Sequence, residues 1–136
     1  MASLEVVLDT NIWVRYFIKN EFTKLTLLVT ENDLVVFTSE RFIAELEEVL
    51  AYPRISKLLS LPIQEYILFY KNLTTLSRVA YAFRGSPDPK DDFLFDLALS
   101  AGASHLVTND KPLLDLGEVR SVKVVSLSEF FQLIKS

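Results

Sequence analysis

A chain of 136 residues with a formal net charge of −4, half of it apolar and 12% aromatic, has the material for one packed domain and lacks the basic balance of a plain nucleic-acid coat protein. It contains no cysteine, which excludes disulfides, thiolate catalysis and Cys-based zinc sites and is compatible with a reducing cytoplasm. The opening MASLEVVLDTN has neither a basic segment nor a long apolar one, so no signal peptide is expected, and no apolar run approaches the ~18 residues of a membrane helix.

Residues 6–8 predict a buried first strand that delivers Asp9 to the carboxyl rim of a sheet, with a helix beginning at Thr10 or Asn11. Residues 21–31 place Phe22, Leu25, Leu28 and Val29 at helical spacing, and residues 33–38 predict a buried strand. Ser39 is positioned to cap a helix running to about Ala51, which Pro53 stops. Residues 54–77 predict helix interrupted at Pro62, with Ile63, Tyr66, Ile67 and Tyr70 as a core stripe. Residues 78–83 alternate loosely and predict a short strand, and residues 85–89 combine flexible and helix-breaking residues into a loop. A helix from about Lys90 to Ala101 is closed by Gly102. Residues 104–108 predict a strand ending at Asn109 and Asp110; a turn of helix over 112–116 and a last strand over 123–125 follow. Ser128 is placed to cap a terminal helix through Ile134. Strands alternate with helices throughout, so the expectation is one α/β domain over residues 1–136, a mainly parallel central sheet flanked by helices on both faces.

Acidic residues carry the chemistry. Asp9 and Asp110 each follow a predicted strand beside small polar groups, so in a parallel sheet both reach one rim; taken singly, either serves as well as a helix cap. Asp91 shares a helix face with Leu94 and Ala98 and points inward, with Asp92 close behind and paired at i,i+4 with Asp96. In the helix from Glu40, Glu45 and Glu47 border opposite edges of the apolar arc while Glu48 points away, and periodicity does not choose between the two edge residues. Like charges ~4 Å apart repel by ~1 kcal/mol in water and ~4 kcal/mol at an effective dielectric near 20. Clusters of this kind are tolerated around hard cations such as Mg²⁺ or Mn²⁺.

Four segments in this order, 7–11, 39–46, 87–98 and 101–110, make the sequence resemble PIN-domain ribonucleases, particularly the toxin components of toxin–antitoxin systems. The resemblance spans nearly the whole chain and implies a single PIN-like domain. It implies that Asp9, Glu45, Asp91 and Asp110 form an acidic quartet binding Mg²⁺ or Mn²⁺, and it decides for Glu45 over Glu47. Asn11 and Thr108 would orient those carboxylates or the attacking water. Alignment on Gly102 leaves Asp91 and Asp92 one position apart, so both stay candidate ligands. Where relatives often carry an acid in the loop before Asp91, this chain has Lys90, with Asp92 and Asp96 nearby as further acids.

The expected activity is metal-dependent endoribonuclease cleavage of RNA in the cytoplasm, as the toxin of a type II system whose cognate antitoxin is a small protein, and as a homodimer. Lys90, Lys111, Arg15 and Arg84 are candidates to hold the RNA backbone; Trp13, Tyr16 and Phe17 serve either the core or a dimer interface. Two rival readings are a phosphatase with an aspartyl nucleophile, for which Asn11 stands where a second Asp is needed, and a degenerate RNA-binding or protein-interaction module. A lone histidine, His105, leaves nothing for His-based triads, and the phosphate-binding glycine motifs are absent.

Overall fold

The computed structural model describes residues 3–80 and 82–135. Strand β1 (Leu4–Leu8) ends in Val6, Val7 and Leu8, all fully buried. Successive strand residues face opposite sides, so three buried in a row require cover on both faces, and the helices supply it. β1 lies between β2 (Leu34–Thr38) and β4 (His105–Val107), both parallel to it. Short β3 (Thr75–Leu76) extends the sheet beyond β2; β6 (Val122–Val125) pairs parallel with β4, and β5 (Glu118–Val119) closes that edge antiparallel. The order is β3-β2-β1-β4-β6-β5. The chain winds outward from β1 to β3, then returns to β4 on the other side of β1. This reversal between β1 and β4 opens a crevice at their carboxyl ends, the usual ligand site of such sheets.

The helices are α1 (Thr10–Ile18), α2 (Phe22–Glu31), α3 (Glu40–Ala51), α4 (Pro53–Ser56), α5 (Ile63–Leu73), α6 (Asp92–Ala101), α7 (Lys111–Leu114) and α8 (Leu127–Lys135). Ser39 caps α3, its hydroxyl accepting from the Phe42 N–H, and Gly102 closes α6 at φ 73°. Trp13 and Phe17 are fully buried and belong to the core; Tyr16 is half-buried. Trp13 stands edge-on to Tyr70 at 4.6 Å and donates from Nε1 to the Leu8 carbonyl at 3.2 Å, tying α1 and α5 to the end of β1.

Four expectations are corrected. Helix over 54–77 gives way after Leu73, because Ser77 N–H donates to the Thr38 carbonyl and draws 75–76 into the sheet as β3. The strand expected over 78–83 is an extended segment without sheet pairing, of which Tyr81 lies outside the described residues. Before the last strand an unexpected hairpin partner, β5, turns through Arg120 at φ 54°, without the Asn or Gly that usually announces such a turn. The cap of α8 is Ser126 rather than Ser128: its hydroxyl accepts from Glu129 N–H at 3.1 Å while its own N–H donates to the Glu129 carboxylate at 3.0 Å, a reciprocal capping box.

The extended segment is held as a strap along α6. Ala80 N–H donates to Ser100 Oγ at 2.9 Å, Phe83 N–H to the Asp96 carboxylate and Ser86 N–H to Asp92 Oδ1 at 3.1 Å. Residues 92, 96 and 100 are one turn apart, so a single polar stripe of α6 takes the strap's N–H groups in sequence. Removing one acceptor strands a part-buried N–H, a loss of about 1–3 kcal/mol. Asp96→Ala is therefore expected to speed proteolytic cleavage of the strap, while Asp96→Asn, whose amide oxygen still accepts, keeps the wild-type rate; equal rates for all three proteins would overturn this role.

Candidate active site

Asp9 and Thr108 each stand one residue beyond the β1–β4 ladder, which pairs Leu8 with Val107. Asp9 N–H donates to the Val107 carbonyl, and the Thr108 hydroxyl donates to Asp9 Oδ2 at 2.7 Å, bridging residues 99 apart in sequence. The same hydroxyl accepts from Asp110 N–H at 3.0 Å, so Thr108 orients both strand-end acids. Capping does not account for either. Asp110 makes no side-chain bond to α7, and Asp9 makes none of ordinary geometry to α1, although the N–H groups of Thr10 and Asn11 lie close enough to favour its charge.

A cleft of about 350 Å³ opens over this rim, lined by Asp9, Asn11, Glu45, Asp88, Asp91 and Asp110 among others. Each acid arrives on a different element: Asp9 from the end of β1, Glu45 from α3, Asp91 from the N-terminus of α6 and Asp110 from the end of β4. Asp88, from the loop before α6, was not singled out by sequence reasoning, which looked for the loop acid at Lys90. Its signal was the Pro87-Asp88-Pro89 triplet itself. Asp88 also caps a 3-10 turn (Pro89–Asp91), its carboxylate accepting from Lys90 N–H at 3.0 Å, and so sets the approach of Asp91.

Other acids lie elsewhere. Glu47 faces a separate groove with Ile63 and Lys71. Asp92 and Asp96 are the strap's anchors on α6 and do not line the cleft. For Asp92, burial pushes the carboxyl up but is outweighed by hydrogen bonds from Ser86 and the Gly85 N–H and by the nearby Arg84, which together hold it below the ordinary carboxylate range. Among the cations, Lys111 pairs with Asp115 and Arg84 donates to its neighbour's carbonyl; neither Lys90 nor Arg15 lines the cleft.

The cleft's charge is expressed in its proton affinities. Asp91 is pushed up to about 6, by burial first and then by the fields of Asp9, Asp88, Asp110 and Glu45. Asp9 is also raised, again chiefly by burial, against the opposing pull of the Thr108 hydroxyl. Of the five acids, Glu45 is the one paired with a cation among the described residues, Arg41 at 3.2 Å. Five carboxylates with no histidine or sulfur form an all-oxygen donor set, the chemistry a hard divalent cation requires. Among the described residues no three of them are disposed to enclose one ion by themselves.

Comparison with known proteins agrees with this architecture. A family model described as PIN domain matches residues 5–112, from β1 through the first residues of α7. The chain belongs to the PIN-domain family. PIN domains are generally nucleases, bind RNA and typically depend on divalent metal. The match covers all five acids of the cleft. No curated protein matches the sequence. Among the described residues no helix is long and apolar enough to cross a membrane.

The raised Asp91 value has a signed consequence. Its folded value, about 6, lies above its ordinary 3.8, so between these pH values the folded state binds more protons than the unfolded one. Stability from this group therefore falls as pH rises from about 4 to about 6 and stays low above. In chelator, Asp91→Asn is expected to raise the melting temperature more at pH 7.5 than at pH 4. An equal shift at both pH values, measured by circular dichroism, would show that the Asp91 carboxyl is not raised in the folded protein.

Proposed function

We propose that this PIN domain is a divalent-metal-dependent endoribonuclease. The observation that carries the reading is the convergence of Asp9, Glu45, Asp88, Asp91 and Asp110 on one cleft at the reversal point of the sheet. Asp9, Glu45, Asp91 and Asp110 would hold Mg²⁺ or Mn²⁺, with Asp88 in support where sequence reasoning expected Asp92. When bound, such an ion lowers the pKa of a coordinated water and offsets charge on the phosphodiester. Thr108 would keep the Asp9 carboxylate aimed into the cleft through its hydroxyl bond, and Asn11, on the cleft wall, would orient the attacking water. Water oxygen bonds to phosphorus and gives up a proton to solvent, the bond to the leaving ribose oxygen breaks and that oxygen takes up a proton from solvent, with no covalent enzyme intermediate.

The test is cleavage of end-labelled single-stranded RNA in Mn²⁺. Wild-type protein should cut, Asp9→Asn and Asp110→Asn should fall to background, and Thr108→Val, which removes only the orienting hydroxyl, should lose about 10–100-fold. Equal cleavage by all four would assign the activity to a contaminant and end the proposal.

We further propose, from the resemblance to toxin components, that the enzyme acts in the cytoplasm as the toxin of a type II toxin–antitoxin system and as a homodimer. A small antitoxin inserting a basic side chain among the five cleft acids would silence it. Ectopic expression should arrest growth in a manner lost with Asp9→Asn; normal growth with active protein present would count against the role.

A further inference from the structure

A second cavity, of about 550 Å³, adjoins the acidic cleft and differs from it in character. Its apolar lining is Leu76, Val79 and Phe93, and Arg41 and Arg78 line it too. Leu76 and Val79 are 58% and 43% exposed, although both sit where the strap leaves the sheet and the chain could cover them. Phe93 is backed by Phe42 at 5.5 Å, and the Arg41 guanidinium lies 5.2 Å above its ring centroid. Arg41 also pairs with Glu45, one turn along α3, and Glu45 lines the acidic cleft. One turn is about 5.4 Å along the axis, so the two cavities are joined through a single ion pair. Ser39, Leu76 and Ser77 bring the ends of β2 and β3 into the same wall, placing it on the same rim as Asp9.

We propose that this pocket receives an unpaired base of the RNA strand next to the scissile phosphate, with Arg41 as its stacking surface and Arg78 on the adjoining phosphate. The assignment rests on the ribonuclease reading of the neighbouring cleft. Single-stranded RNA is held by apolar and planar surfaces for its bases and cations for its backbone. This pocket offers both: two arginines beside an apolar wall, in a chain of net charge −4, beside a cleft whose five acids repel a phosphate that has no cation to meet it. Arg41, over the Phe93 ring and paired with Glu45, offers a planar guanidinium of the kind on which bases stack. Of the other polar lining groups, the Ser39 and Ser77 hydroxyls are engaged with the backbone, while the Glu40 and Asp96 carboxylates are acceptors that suit the amino and imino groups of a base rather than a phosphate.

The experiment measures binding rather than turnover. Fluorescence anisotropy follows a labelled seven-nucleotide single-stranded RNA on the Asp9→Asn protein in Mn²⁺, with a series of RNAs each abasic at one position. Val79→Glu, which fills and charges the apolar wall, should weaken binding by about tenfold, within the range of one lost base stack. One abasic position should cost a similar factor, and the two losses should not multiply when combined, because both remove the same contact. Arg78→Ala, a surface change checked alongside by melting temperature, should weaken binding of intact and abasic RNA alike. Unchanged affinity in Val79→Glu, or losses that multiply at every abasic position, would overturn the assignment and leave the pocket to a protein side chain. The two readings fail separately: RNA that binds with this coupling but is never cut by wild type refutes the nuclease and keeps the pocket, whereas cleavage without coupling does the reverse.

Discussion

A carboxylate almost without solvent access must be held by something, and for Asp9 that is the hydroxyl of Thr108. Asp9 follows three fully buried residues, so its side chain cannot swing out to water without disturbing the core. Desolvating a carboxylate is costly unless hydrogen bonds and counter-charge replace the water. The bond to Thr108 does part of this and obliges β1 and β4 to be neighbours although 99 residues separate the two side chains. The sheet's reversal point, the crevice and the placement of Asp110 all follow from that adjacency.

The acids of this domain divide into two populations with different physics. Asp92 and Asp96 are satisfied locally, accepting backbone N–H groups from the strap, with Arg84 near Asp92. Asp91 is the second kind: burial first, then the fields of Asp9, Asp88, Asp110 and Glu45, raise the cost of its charge. A protein gains no stability from such a second group. On the proposed metal-dependent reading, a bound cation would convert that repulsion into shared attraction.

How much of this was legible depended on the range of the signal. β1, α3, α6 and their caps are written in adjacent residues: an apolar run ending in Asp9, Ser39 before an amphipathic helix, Gly102 after one. β3 and β5 are two residues each and exist only because a distant strand offers partners, so no local pattern reveals them. Glu45 and Glu47 are equivalent by periodicity; the packing of α3 against the rim separates them. Asp92 and Asp96 looked like neighbours in need of a cation, whereas their partners are N–H groups of a segment read as a strand. Asp88 was hidden in plain view between two prolines, and the Arg41 pocket had no motif at all.

The strap carries a consequence for how this sequence can vary. It is fastened through backbone N–H groups at Ala80, Phe83 and Ser86, not through the side chains at those positions. Any amino acid except proline supplies that donor, and the two prolines of the region stand at 87 and 89, just past the last fastening. Side chains along the strap, Arg78 and Val79 included, can therefore be exchanged while Asp88 is still delivered to the same place. On the proposed reading, substrate preference and catalytic geometry would be carried by different parts of one short segment, and mutation could retune the first without disturbing the second.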